Sequence, residues 1–296
     1  FDNSGVQGGG IFLLRSSPLL EALDVINNTA SWGGGGIFCN VSSPVIINTI
    51  IARNTTLTYR GAGMYCENNS NPQIINATIA ANSCNTADGA MLVCYQASNP
   101  IFINSILTGN FPRELYLSPT GGETNVSISY SNIEGGQDSI ITNDNGSISW
   151  GAGNIDINPR YIEPESNNYK LLASSLCINA GHPDSTNSDG SRADMGAIPY
   201  LNSYTGPAWY SSAEGDDVAG TGESSNPFAS IQAGINFASS GNSVSVDPGT
   251  YFETIVFRGQ DINVVGSVDP SNTVIDANGN GRVITYENSE TAESSL

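Results

Sequence analysis

Hydrophobic and polar positions recur along the first third of the chain with a fixed period. Four prolines, Pro18, Pro44, Pro72 and Pro100, stand 26, 28 and 28 residues apart. Two residues beyond each lies a large apolar residue: Leu20, Ile46, Ile74 and Phe102. Seven beyond come Val25, Ile51, Ile79 and Leu107, and ten beyond come Asn28, Asn54, Asn82 and Asn110. The apolar runs are short, rich in β-branched residues and bounded by Gly, Asn and Ser, which predicts strands between turns. The fourth position beyond the proline holds Asn48, Asn76 and Asn104, with Ala22 in the first copy. Asn tolerates the left-handed conformation, so this position predicts a bend between two inward-facing residues. A further strand precedes each proline, as in Ile37-Phe38-Cys39 and Met64-Tyr65-Cys66. A period in this range marks units that stack on one another.

Three short strands and three turns per period predict one coil of a parallel β-helix. Successive coils then lie about 4.8 Å apart, the spacing of strands in any sheet. Equivalent residues stack into aliphatic, cysteine and asparagine ladders. Stacked Asn amides hydrogen-bond from coil to coil and align the turns. Cys39, Cys66 and Cys94 share one rung position with Leu13. They read as buried core thiols, because free Cys packs as a small hydrophobe. Cys84 and Cys177 show no evident pairing, and cysteine usage leaves the redox compartment open. Phe12, Phe38, Tyr65 and Val93 lie between two inward rungs and therefore face outward. That stripe either binds glycans or packs under the C-terminal coils, and packing is the better reading.

Beyond Asn110 the repeat loosens into strand-like text at 115–117, 126–128, 154–157 and 169–172, then 175–181 and 194–197. These irregular coils are expected to close the C-terminal end of the solenoid, since an open apolar stack needs covering. Residues 1–200 thus form the C-terminal-type part of a β-helix, and 201–208 read as a linker carrying Asn202, Ser203, Gly206 and Pro207. Residues 209–296 restart the pattern as the opening of a second β-helix. Phe228, Ile231, Ile235 and Ala238 have helical spacing, which predicts a capping helix near 228–238 with Pro227 in its first turn.

Composition narrows the picture. The chain has 296 residues and a formal net charge of −19, with nine basic residues. Such a surface excludes electrostatic binding of nucleic acid and disfavours anionic membranes. No run is long and apolar enough for a transmembrane span. The first residue is Phe1, so the text reads as cut from a longer chain.

The Gly-rich text at 34–37 and the Asn-Asn-Thr-Ala at 27–30 resemble right-handed parallel β-helix repeat proteins of the pectin-lyase-like superfamily. They are also similar to repeats of bacterial polymorphic outer-membrane proteins. Residues 226–233 and 246–253 resemble the opening of such helices, and 177–181 and 192–197 their closing segment. The resemblance covers nearly the whole chain. It implies a fold and leaves activity open, because the superfamily holds lyases, hydrolases, epimerases, adhesins and inert surface proteins. In similar proteins, text like that at 289–296 runs on into coils like those at 1–11, so the two halves stand here in permuted order. Stacking of the coil at the end of the text on the coil at its start gives a head-to-tail assembly between molecules, a filament where the contact does not close, or a folded-back single solenoid within one molecule; the plainer alternative is a fragment whose open ends fray.

Five constellations bear on chemistry. Carboxylate pairs for glycoside hydrolysis are Asp216 with Asp217, Asp184 with Asp189, and Glu163 with Glu165. A lyase needs a basic residue beside a carboxylate cluster, and Arg53, Arg60 and Arg113 are scattered. For calcium, Asp184, Asn187, Asp189 and Asp194 supply part of an oxygen-ligand loop, and Asp216 and Asp217 with Glu214 a second acidic loop. His182, the one imidazole, sits in a turn near Ser174, Ser175 and Asp184 without a nucleophile elbow. The aromatic stripe is the fifth. No catalytic or cofactor-binding residue stands out. The expectation is an all-β, secreted or cell-surface scaffold, structural or adhesive, with itself and extracellular polysaccharide as partners. The alternative is a polysaccharide lyase or glycoside hydrolase working in a lateral groove.

Overall fold

The computed structural model describes residues 1–86, 89–288, 290–291 and 293–296. The chain forms stacked coils of parallel strands, a β-solenoid, as the periodicity predicts. It divides into two units. The first holds Phe1–Pro159, Ala180–Thr186 and Arg192–Pro199; the second holds Arg160–Asn179, Asn187–Ser191 and Tyr200–Leu296.

In the first unit each regular coil contributes to four sheets, not three. Taking the second coil, Thr29–Gly33 lies in the first sheet, Ile37–Asn40 in the second, Val45–Ile47 in the third and Ile50–Ala52 in the fourth. The strand absent from the sequence-based expectation is polar text such as Thr55–Thr56, which pairs with Thr29 and Ala30 below and with Ser83–Cys84 above. Its inward residues are small, so no aliphatic signal announces it. Register is exact to the repeat: Ile46 pairs with Leu20 and Ile74, and Ile74 with Phe102. Cys66 pairs with Cys39 and Cys94, and Leu13 and Leu117 continue that row. All five cysteines are buried thiols outside any disulfide.

Each corner is turned by a residue in the left-handed region. The bend predicted from Asn is present, with φ of 52° at Ala22, 50° at Asn48, 48° at Asn76 and 52° at Asn104. Five residues on, Asn27, Arg53, Ala81 and Gly109 take φ of 58°, 53°, 54° and 65°. A further corner uses Arg15, Val41, Asn69 and Ala97, and the remaining one Gly8, Gly34 and Gly61. The coil-to-coil ladder continues through the corners: Asn48 N donates to Ile75 O (3.2 Å) and Arg53 N to Ala80 O (3.0 Å). Buried backbone donors are thus satisfied where the chain turns. At Gly35 a Cβ would lie 2.5 Å from Ala62 O and 2.6 Å from Thr55 O, so neighbouring coils exclude any side chain there.

The interior is one continuous apolar column of Ile, Leu, Val, Met, Phe and Cys, including Ile46, Met64, Cys66, Ile74 and Leu107. The segments Ala180–Thr186 and Arg192–Pro199 do not close an end of this column. They lie along its side: Ala197 N donates to Thr78 Oγ1 (3.0 Å), Gly196 N to Asn104 O (2.7 Å) and His182 N to Asn104 Oδ1 (2.6 Å). The outward faces of Ile50–Ala52, Thr78–Ala80 and Ile106 are buried. Contact with the coil sides satisfies both partners, because this strap brings backbone donors to polar outward positions.

The second unit has parallel strands Ala208–Ser211, Ser243–Val246 and Asn263–Gly266 in one sheet. Gly249–Tyr251 pairs with Thr273–Ile275, and Ile255–Val256 with Ile284–Thr285, so coils again stack in parallel. Tyr161–Glu163 and Asn168–Leu171 make an antiparallel hairpin. In the stretch 289–296, Ser289 and Ala292 lie outside the described residues. The helix spans Ile231–Phe237, shorter than the predicted 228–238. Asp217 Oδ1 accepts from Ala229 N (2.9 Å) and Ser230 N (3.1 Å), holding that stretch extended. Ser230 then caps the helix by accepting from Ala233 N, and Pro227 falls before it. Phe228, Ile231, Ile235 and Ala238 are all buried, as their spacing predicts.

Candidate functional site

A ladder of buried polar side chains runs along the inner edge between the fourth and first sheets. Here the asparagines ten residues beyond the prolines stack. Asn28 N and Nδ2 donate to Asn54 Oδ1 (2.9 and 3.0 Å). Asn54 N and Nδ2 donate to Asn82 Oδ1 (both 2.9 Å), and Asn82 N and Nδ2 to Asn110 Oδ1 (2.8 and 2.9 Å). The second amide hydrogen goes back to the coil below, from Asn54 to Val25 O, Asn82 to Ile51 O and Asn110 to Ile79 O. Asn3 N and Nδ2 begin the series by donating to Asn28 Oδ1. A buried amide with every donor and acceptor matched aligns coils without leaving an orphaned group.

The ladder ends on a residue that the spacing did not flag. Glu114 reaches back to the rung above Asn110, and its Oε2 accepts from Asn110 Nδ2 at 2.6 Å. With the whole residue 3% exposed, its carboxyl is buried. Burial pushes it up to about 8 against the opposing hydrogen bonds from Asn110, and the nearby Glu134 adds to the rise. Hydroxyl ladders run at other corners: between the second and third sheets Ser42 N donates to Ser70 Oγ (3.0 Å) and Ser70 N to Ser98 Oγ (3.1 Å). Ser105 N likewise donates to Ser131 Oγ (3.1 Å).

The outward stripe is brought together, but it is covered. Phe38, Tyr65 and Val93 are buried under Trp32, Tyr59 and Tyr95, with Ala90 and Tyr116. The cover comes from the same coils, from Trp32 in the strand Thr29–Gly33 and from Tyr59 and Tyr95 in loops, not from the C-terminal coils. Trp32 stacks on Tyr59 at 4.5 Å and meets Tyr65 edge-on at 5.1 Å. The Arg60 guanidinium lies 5.3 Å from the Tyr59 centroid and 4.7 Å from that of Tyr116, and Arg113 lies 5.9 Å from Tyr116. Burial, then Tyr59, pushes the Tyr65 hydroxyl up. Phe12, in the first coil, remains exposed.

The acidic candidates serve their own turns. Asp184 and Asp194 belong to the first unit, and Asn187, Asp189, Asp216 and Asp217 to the second. Asp189 Oδ1 accepts from Ser191 N and Oγ, and its Oδ2 from Asn202 N. Burial favours a rise at Asp189, but those hydrogen bonds hold the carboxyl below its ordinary value. Asn187 Nδ2 donates to Ser191 Oγ at 3.1 Å. Asp216 Oδ1 accepts from Val218 N and Ala219 N, whereas Asp217 Oδ1 turns to Ala229 N and Ser230 N. The two neighbours therefore face different loops. Asp194 is buried, and Asp184 donates its N–H to His182 Nδ1. His182 itself meets the Tyr130 ring edge-on at 4.7 Å. Among the described residues, no group of three or more His, Cys, Asp or Glu side chains lies together as metal ligands would.

A second carboxylate that the sequence did not flag is Glu253. Its Oε1 accepts from Ile231 N (2.7 Å) and its Oε2 from Gln232 N (3.0 Å), at the first turn of the helix. Two orphan donors of the helix are satisfied from another coil, and the carboxylate meets the positive end of the helix dipole. No family model, no curated protein and no solved structure matches the chain.

Proposed function

We propose that the chain is a non-enzymatic scaffold, secreted or held at a cell surface, whose work is to present a long, regular stack of coils. One observation carries this reading: the buried asparagine side chains of the ladder are committed to neighbouring coils. The amides from Asn28 to Asn110 each bond to the rung above, and those from Asn54 on also to the coil below. Side chains held this way stabilise a repeat, whereas an acid–base pair for glycan cleavage needs oxygens free to reach the reacting bond. From Phe38 to Val93 the outward stripe likewise packs under side chains of its own coils, which favours a structural role over glycan stacking.

Self-association end to end is part of the proposal. Ser4–Gln7, Ile11–Leu14, Leu19–Glu21 and Asp24–Ile26 are the outermost strands of their sheets, and Phe12, Leu14 and Leu19 are exposed there. Edge strands present backbone groups that another strand can pair with. Mass photometry over a concentration series tests this: growing head-to-tail species support it, and monomers at every concentration overturn the assembly. Separately, incubation with uronate and neutral polysaccharides, with or without calcium, reads out chain cleavage. Turnover of any of them would overturn the scaffold reading in favour of a lyase or hydrolase.

A further inference from the structure

We propose that Asn278 and Asn280 are sites of spontaneous deamidation: each loses its side-chain amide to attack by the backbone nitrogen of the glycine that follows, and the loop between Ile275 and Ile284 gains aspartate or isoaspartate. The inference goes beyond the scaffold reading and does not depend on it.

The sequence holds Asn-Gly three times, at 145–146, 278–279 and 280–281. Glycine has no Cβ to shield its nitrogen, so this dipeptide gives that nitrogen its freest approach to the preceding Asn side chain. The structure then separates the three. Asn145 Nδ2 donates to Ser118 O (2.6 Å) and Gly122 O (3.1 Å). Gly146 opens the strand Gly146–Trp150, which pairs with Thr124–Ser129, and a Cβ on it would lie 1.8 Å from Thr124 O. The amide and the backbone beside it are both held in place. The ladder asparagines are protected twice over. Their amides are buried and bonded, and Thr29, Thr55, Ser83 and Phe111 follow them where a glycine would be needed.

Asn278 and Asn280 have neither restraint. Both are exposed, as are Gly279 and Gly281. Their own backbone N–H groups are engaged, Asn278 N with Asp276 Oδ1 (2.8 Å) and Asn280 N with Ala277 O (2.8 Å). Among the described residues, no hydrogen bond holds either side-chain amide. A Cβ on Gly279 or Gly281 would meet nothing within 4 Å, so the surroundings leave room for the ring that forms. The ends of the loop are anchored nonetheless. Asp276 N donates to Tyr251 O (2.9 Å), Ile255 N donates to Val283 O (2.8 Å), and Ala277 is buried. The reaction is therefore confined to the loop centre, and Thr273–Ile275 and Ile284–Thr285 keep their places in the sheets.

The atoms balance without an oxidant or a cofactor. The Gly279 nitrogen gives its proton to solvent base and bonds to Asn278 Cγ; the Cγ–Nδ2 bond breaks and ammonia leaves. Water then opens the cyclic imide. Opening at Cγ leaves aspartate, and opening at the backbone carbonyl carbon leaves isoaspartate, with the chain routed through Cγ. One water enters and one ammonia departs. Gly281 acts on Asn280 in the same way. Each event adds a negative charge to a chain whose formal net charge is −19.

The test is prolonged incubation of the intact native chain at mildly alkaline pH, followed by peptide mapping with electron-transfer fragmentation, which tells isoaspartate from aspartate. Asn278 and Asn280 should convert about tenfold faster or more than Asn145 in the same sample, because Asn145 reacts only after its strand opens locally. In urea the rates should converge. Equal native rates at the three sites would overturn the proposal, and so would a loop that converts only when the chain is unfolded. The double variant Asn278→Gln, Asn280→Gln changes exposed positions alone and should abolish the isoaspartate of this loop. Its persistence there would overturn the assignment to these two residues.

Discussion

The rings of Phe38 and Tyr65 lie 5.2 Å apart with planes 5° from parallel, one coil above the other. Their backbones pair directly as neighbouring strands, so the stack follows from the register. Both rings face away from the main interior and are nonetheless buried, because Trp32 and Tyr59 fold over them. A satellite core therefore ties the loops to the coils. Tyr65→Ala is expected to cost about 3–5 kcal/mol in urea unfolding, in line with other large-to-small core changes. Its companion readout is the emission of Trp32, which should shift to the red as cover is lost. Unchanged stability and emission would show the stripe to be peripheral.

The amide ladder gives a sharper test, because shape and hydrogen bonding separate there. Asn82→Asp keeps the outline of the side chain but replaces the donor that serves Ile51 O and Asn110 Oδ1. Two acceptors would then face oxygen. The substitution should destabilise by about 3 kcal/mol or more, each unmade buried bond costing roughly 1–3 kcal/mol. The loss should shrink at low pH, where the new carboxyl regains a proton. A variant as stable as its parent would mean the ladder contributes little.

The row of Cys39, Cys66 and Cys94 predicts chemical silence. Hydrogen bonding with Cys39 and burial push the Cys66 thiol up, and burial does the same at Cys94. Thiolate is the reactive form, so native protein should react with a thiol reagent at the rate of unfolding. Addition of denaturant should release all five groups. Rapid labelling of the native chain would contradict the stacked interior.

Val41 sits at φ 52° and is half-exposed. A β-branched residue is strained there, and little packing would be lost on replacing it. Val41→Asn should therefore stabilise by about 1 kcal/mol. Its mirror experiment is Asn48→Val, which should destabilise by at least as much. Both are read from thermal or urea midpoints, and a neutral outcome in both would remove strain from the account of the corners.

At Glu253 the prediction concerns the helix. Replacing it with Ala removes the acceptors for Ile231 N and Gln232 N and should cost about 2–3 kcal/mol, as charged hydrogen bonds do. Amide exchange confined to 231–233 would rise before the rest of the unit opens. Glu253→Gln should recover part of the loss, since one oxygen remains. Uniform exchange across the unit would assign the effect to general packing instead.

Much of this architecture was legible because stacking forces like residues onto like. The proline phase located the interior rows, the Cys row and the Asn ladder residue by residue. What stayed hidden had a physical cause. Arg53, Ala81 and Val41 turn corners as Asn48 does, but the coil-to-coil bonds at each corner impose φ on whatever residue is there. Thr55–Thr56 carries no aliphatic pattern because its inward positions are small and polar. Glu114 and Glu253 could not be found by spacing, since each acts across a turn onto another coil. Asp189, Asp216 and Asp217 were visible as acids, yet sequence does not show that their oxygens are taken up by nearby N–H groups.

The one-way sense of the amide ladder has a further consequence, for how such a chain can change length. From Asn3 to Asn82, each rung offers its oxygen downward and its nitrogen upward, so any two rungs are interchangeable as neighbours. Deleting or duplicating a stretch from one ladder asparagine to the next leaves every joint well formed. Removing a fraction of that stretch would set an isoleucine against an amide. Growth and shrinkage in whole storeys therefore keeps every rung paired, just as the two-residue difference between the 26- and 28-residue coils leaves the ladder intact, and a protein of this design can be lengthened by copying floors.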